Sequence, residues 1–137
     1  MSFVEWEEKY SVHIDTIDEQ HKHLIDLTNR LYEACTQDKT TADQYFKDTV
    51  KEAVEYVKEH FTTEEELMQK YGYPDFDQHK REHESFVKKI LEYVKDFESG
   101  KRYVPNNFVR FLQEWLMQHI AVSDKKYEQF FRQQGVI

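Results

Sequence analysis

Glycine and proline are nearly missing, with three of one and two of the other in 137 residues. Average usage would put roughly fifteen of the two together in a chain this long. An all-β sandwich or barrel turns every ~8–12 residues and draws on both, so that class is excluded, as are collagen-like and linker-rich chains. Cysteine is reduced to Cys35 alone. No internal disulfide can form, which fits a reducing cytoplasm. No apolar run reaches the ~18 residues that a membrane-spanning helix needs. The first residues, through Trp6 and Tyr10, are acidic and have no apolar stretch of the signal-peptide kind. Positive charge is also in deficit. The net charge is −8, which argues against nucleic acid or an anionic membrane as a partner.

What is present points to a few long helices in one domain. Charged residues make up 34%, apolar residues 39%, and the mean hydropathy is −0.90. These values lean towards disorder, but 15% aromatic residues do not. Ten Phe and nine Tyr can fill a small core. Breaks fall at 37–41, at Gly72-Tyr73-Pro74-Asp75, and between Ser99 and Asn107. Thr41 with Gln44 reads as a capping box, Gly72 as a left-handed helix stop, and Asp75 with Gln78 as the next start. The expectation is an all-α, up-down-up-down four-helix bundle forming one domain over 1–137. It has a lead-in over 1–13 and helices near 14–37, 41–71, 75–98 and 105–133.

Each helix carries an apolar seam with alternating spacings of three and four. The first seam runs Ile14, Ile17, His21, Leu24, Thr28, Leu31, Cys35. The second runs Phe46, Val50, Ala53, Val57, His60, Glu64, Leu67, Tyr71. The third runs Phe76, His79, His83, Phe86, Ile90, Tyr93, Phe97, and the fourth Phe108, Leu112, Trp115, His119. Five His and a Glu therefore point inward with the apolar residues. A buried carboxylate is costly unless it is paired or bound to a metal.

His60 and Glu64 are i, i+4, as are His79 and His83. On a helix that spacing gives an offset of about 40° and a rise of about 6 Å, so each pair can converge on one centre. His119 and Asp124 are i, i+5, about 140° apart on a regular helix. The fourth seam nevertheless resumes at Asp124, Tyr127 and Phe131, one residue late. A π-bulge near Ala121–Ser123 would produce that slip. His21, His60, Glu64, His79, His83, His119 and Asp124 are too many ligands for one Zn²⁺. Two octahedral ions that share both carboxylates and one oxo or hydroxo bridge would be filled but for one position, open to a small end-on ligand.

The order H…HxxxE…HxxxH…HxxxxD, read at 21, 60–64, 79–83 and 119–124, resembles the hemerythrin family along essentially the whole chain. Trp6 and the run Ile17-Asp18-Glu19-Gln20-His21 are similar to it as well. The resemblance implies a non-haem di-iron centre that binds O₂ reversibly for transport, storage or delivery. It implies that His79, His83 and His119 hold the filled iron, that His21 and His60 hold the iron with the open position, and that Glu64 and Asp124 bridge. O₂ would bind end-on as hydroperoxide, with its proton from the bridge. Two carboxylates against five neutral imidazoles leave Fe(II) easy to regain, which suits reversible binding over enzymatic oxidation. Leu24, Phe61, Trp115, Leu116 and Ile120 are expected to wall a dry O₂ pocket, and Tyr127 to steady Asp124. His23 should face solvent, and His13 precedes the first helix.

Three rival readings are considered. His79-Lys80-Arg81-Glu82-His83 matches an H-x-x-E-H zinc protease with Glu82 as base, but leaves the other inward polar residues unexplained. An O₂ or redox sensor module would need an effector domain, and the expectation is that none follows Ile137. A di-iron oxidase or peroxidase is disfavoured by the ligand set. The expectation is a cytoplasmic monomer, not an enzyme, that passes O₂ to an unidentified O₂-consuming acceptor.

Overall fold

Asp38 starts the second helix, not Thr41. Its carboxylate accepts the backbone N–H of Thr41 at 2.8 Å, which satisfies one orphan donor of the first turn. Gln44, the expected partner in a capping box, instead donates its side-chain N–H to Asp48. The computed structural model describes residues 4–100 and 104–137. Its helices are α1 (Asp15–Cys35), α2 (Lys39–Lys70), α3 (Phe76–Glu98), α4 (Val104–Gln118) and α5 (Lys125–Gln133). A π-helical turn over His119–Asp124 joins α4 to α5 in one rod. α1 packs on α2 and α4, and α3 packs on the same two, closing an up-down-up-down four-helix bundle. Among the described residues there is no strand, and no helix is long and apolar enough to cross a membrane.

The helix ends follow from local chemistry. Gly72 takes φ 69 after α2. Tyr73 N–H reaches the Met68 carbonyl at 2.9 Å, closing the stop. Asp75 precedes α3 but accepts His79 N–H through its backbone carbonyl, with no cap from its side chain. Pro105 lies in the first turn of α4, where a missing N–H costs nothing. The break expected between Ser99 and Asn107 lies partly in 101–103, outside the described residues.

The lead-in is not a loose arm. It forms one 3₁₀ turn over Glu8–Tyr10. Asn29 of α1 clasps it, accepting Val4 N–H and donating to the Val4 carbonyl, both at 2.7 Å. Asp18 accepts from Ser11 Oγ and Val12 N–H. His13 takes φ 61, and Glu128 of α5 holds its ring at 2.6 Å. Two expectations are corrected, the inward Tyr71 of the second seam and the solvent-facing His23. Tyr71 closes α2 at the rim, exposed, with its ring edge on Phe131. His23 is half-covered by the Tyr56 ring, 4.2 Å away.

The apolar core has two parts. Leu31, Phe46, Phe86, Ile90 and Phe108 lie in the larger one. Val12, Ile17, Met68, Tyr127 and Phe131 form the smaller one, at the end where the lead-in docks. His21 falls between Ile17 of the smaller part and Leu24 of the larger, so the inward polar groups lie at the junction of the two.

Candidate metal centre

All seven inward polar residues are buried at that junction, each with at most 4% of its surface exposed. α1 supplies His21, α2 His60 and Glu64, and α3 His79 and His83. The π turn supplies His119 at its start and Asp124 at its end. The wider π turn turns an i, i+5 pair inward together. Asp124 Oδ1 lies 3.0 Å from His119 Nε2.

The donors form two sets. His79, His83 and His119 converge with Glu64, and His21 and His60 converge with Glu64 and Asp124. Each carboxylate spans both sets. Glu64 Oε1 lies 2.5 Å from His60 Nε2, and Oε2 lies 3.5 Å from His79 Nε2. Asp124 Oδ2 is 2.9 Å from His21 Nε2, and Oδ1 is 3.2 Å from His79 Nε2. Each carboxylate thus presents one oxygen to each set of imidazoles.

The cluster fits a cation. Both nitrogens of His21, Nε2 of His79 and all four oxygens of Glu64 and Asp124 are buried and, close as they lie to one another, have no hydrogen bond of good geometry among the described residues. Groups left so carry a full desolvation cost unless something polar meets them. The electrostatics agree. Burial alone would drive the imidazoles neutral, but Asp124 and Glu64 outweigh it, pushing His21 up to about 9 and His79 to about 10. His119 rises to about 9, with Asp124 and Glu82 overcoming the same burial. Both carboxyls are held well below the usual carboxylate range by these imidazoles, against their own burial. The carboxylates thus draw positive charge to the centre. His83 alone is lowered, by burial.

Aromatic stacking fixes the rings. Phe61 stacks on His83 at 3.7 Å and 3°. Trp115 stacks on His119 at 4.2 Å and on Phe86 at 3.8 Å. Leu24, Phe61, Trp115, Leu116 and Ile120 all line a crevice beside His21, His60 and His119, packed too tightly to admit a water molecule. Phe86 lines it too and was missed, although it lies three residues beyond His83 on the same seam. Tyr127 is buried beside both carboxylates. Burial, with the charges of Asp124 and Glu64, pushes its hydroxyl well up. It therefore lies beside Glu64 as well as beside the expected Asp124.

Three outer partners also escaped the sequence reading. Gln20 Oε1 accepts from His60 Nδ1 at 2.6 Å. Glu65 Oε2 accepts from His83 Nδ1 at 2.8 Å. Glu82 Oε2 lies 3.3 Å from His119 Nδ1. Spacing along the chain gives no sign of them, because the helix that packs alongside decides which histidine each one meets.

Imidazoles and carboxylates converging from all four rods define a bundle protein whose core has the donors to hold metal. The comparisons place it more narrowly. Residues 12–131 match the model of the hemerythrin HHE cation binding domain. Bacteriohemerythrin of Stenotrophomonas maltophilia (strain R551-3) is 35% identical over 127 residues, covering 93% of this chain and 80% of that protein. Myohemerythrin of Theromyzon tessulatum is 30% identical over 126 residues, covering 90% of each. A crystal structure of wild-type hemerythrin superposes with a TM-score of 0.81 at 32% identity, covering 93% of this chain and 97% of that one. The chain belongs to the hemerythrin family, and O₂ binding by a hemerythrin domain is the function that membership supports.

Proposed function

We propose that this chain is a non-enzymatic O₂ carrier or store, working as a cytoplasmic monomer through two iron ions held by the seven buried side chains. The observation that carries this reading is the division of each carboxylate. One oxygen of Glu64 and one of Asp124 face the His79/His83/His119 set, and the other oxygens face His21 and His60. Glu64 and Asp124 bridge, and the five imidazoles complete the two sets. The two-imidazole set has fewer donors of its own and borders the apolar space. Iron bound by these residues would supply the reversible electron exchange that O₂ binding needs.

The chain's own residues keep that exchange reversible. Leu24, Leu116 and Ile120 are buried and exclude the water and protons that would make uptake irreversible. The Phe61 and Trp115 stacks stop His83 and His119 from swinging out. Tyr127 stands over the carboxylates and restrains them. Neutral imidazoles outnumber anionic donors, which keeps the reduced state accessible. The H-x-x-E-H protease reading gains nothing from this geometry, since Glu82 lies beside His119 Nδ1 and is not free to act as a base.

The test is to load the protein with iron, reduce it anaerobically and admit O₂. A charge-transfer absorption band should form and then disappear when O₂ is removed, with two iron ions per chain for the two donor sets. A band that never forms, or never reverses, overturns the carrier reading. One zinc per chain in place of iron would favour the protease.

A further inference from the structure

The two donor sets have the same inner carboxylates but different outer partners. All five imidazoles turn Nε2 inward, where it meets Glu64, Asp124 or a neighbouring ring. The outward nitrogen, Nδ1, then carries the proton, and what it meets sets how much electron density the ring presents inward. In the three-imidazole set, His83 Nδ1 meets the Glu65 carboxylate at 2.8 Å and His119 Nδ1 lies 3.3 Å from the Glu82 carboxylate. In the two-imidazole set, His60 Nδ1 meets only the neutral amide of Gln20. That amide is oriented by its own N–H, which donates to Thr63 Oγ1 at 3.3 Å. The outward nitrogen of His21 has no hydrogen-bond partner among the described residues.

We propose that Glu65 and Glu82 make the His79/His83/His119 set the tighter of the two metal sites, and that Gln20 leaves the His21/His60 set the one that fills last and empties first. This rests on the two-iron reading above. A carboxylate on Nδ1–H draws its proton outward, makes Nε2 a stronger donor and places a full negative charge near the bound cation. An amide orients the ring equally well but adds no charge. The inner charge does not offset the difference, because Glu64 and Asp124 each give one oxygen to each set. Donor number acts in the same direction, with three imidazoles against two. The exchangeable ion is then the one beside the apolar space, where the small ligand arrives.

Glu65 and Glu82 keep 22% and 34% of their side-chain surface in solvent, so replacing them leaves the core intact. Glutamine at either position retains an oxygen facing Nδ1 and removes only the charge. Apo-protein, full chain, would be titrated anaerobically with Fe(II) against a competing chelator, with helicity checked for each variant. Wild type should bind two ions in resolved steps. Glu65→Gln with Glu82→Gln should weaken the tighter step by about 10–100-fold and leave the weaker step unmoved. Gln20→Glu should strengthen the weaker step only. Weakening of both steps alike by the double variant would reveal a merely structural role and overturn the proposal. So would tightening of the stronger step by Gln20→Glu. Two ions of equal affinity in wild type would sink this inference alone, whereas fewer than two would sink the two-iron reading with it.

Discussion

Leu116 packs one helical turn before Ile120 and is 2% exposed, yet it borders both the core and the space beside His21 and His60. Truncation acts on both roles. Leu116→Ala should lower global stability by about 2–5 kcal/mol, the usual loss for a buried leucine. It should also speed the irreversible oxidation of the O₂-loaded protein, because water gains access. Thermal unfolding and the decay of the O₂-dependent band read the two separately. A faster decay with unchanged unfolding would confine Leu116 to the gate, and an unchanged decay would remove that role. The seven inward polar residues were legible from sequence because each interrupts an apolar seam at helical spacing, so His60 with Glu64 announces itself as a pair. Glu65, Glu82 and Gln20 lie off those seams. Their importance depends on which neighbouring helix each one faces, and a single helix period cannot encode that.

The π turn is where one element departs from regularity, and the sequence revealed it through a seam running one residue late. The break spans His119–Asp124, somewhat wider than the three residues expected. Because the turn holds one residue more than an α-helix would, removing one should convert it to a regular helix. Deletion of Val122, which is exposed, should therefore leave Tyr127 and Phe131 facing the core. Deletion of Glu114, in the regular part of α4, should instead rotate everything after it by about 100° and unfold the protein. Circular dichroism and thermal melts of the two deletions should differ sharply. Equal damage would show that the turn does not absorb the residue. Helix starts were less legible. Asp38 and Thr41 are both good caps by type. The choice between them was made by the geometry of the Asp38 side chain, which reaches the Thr41 N–H.

At the scale of the molecule, the lead-in joins the bundle through a charge cluster about one helical turn beyond Asp124. Glu128 is 8% exposed. It accepts from Arg132 and Lys125 at 3.1 Å and meets His13 at 2.6 Å, while Lys125 also donates to the Ser11 carbonyl. Burial would raise this carboxyl, but the hydrogen bonds of Arg132, Lys125 and His13 outweigh it and hold it below the ordinary 4.5. A lowered folded pKa stabilises fully above the unfolded value and is lost as pH falls through the folded one. The gap in melting temperature between wild type and Glu128→Gln should thus be widest near neutrality and close below about pH 4.5. A gap that stays constant on acidification would mean that the charge is not what holds the lead-in. The bundle itself was readable from the scarcity of breaks and the four seams. The docking of residues 4–13 was not, since it depends on Asn29, Asp18 and Glu128, none of which lies in an apolar pattern. The centre has one more consequence at this scale. Its donors begin at His21 and end at Asp124, so an ion that grips both ties a loop of about a hundred residues shut, and loops of that length gain much from closure. No helix can then peel away unless a donor lets go first. The protein should resist opening as a chain with a clasp does, through the lifetime of its slowest bond.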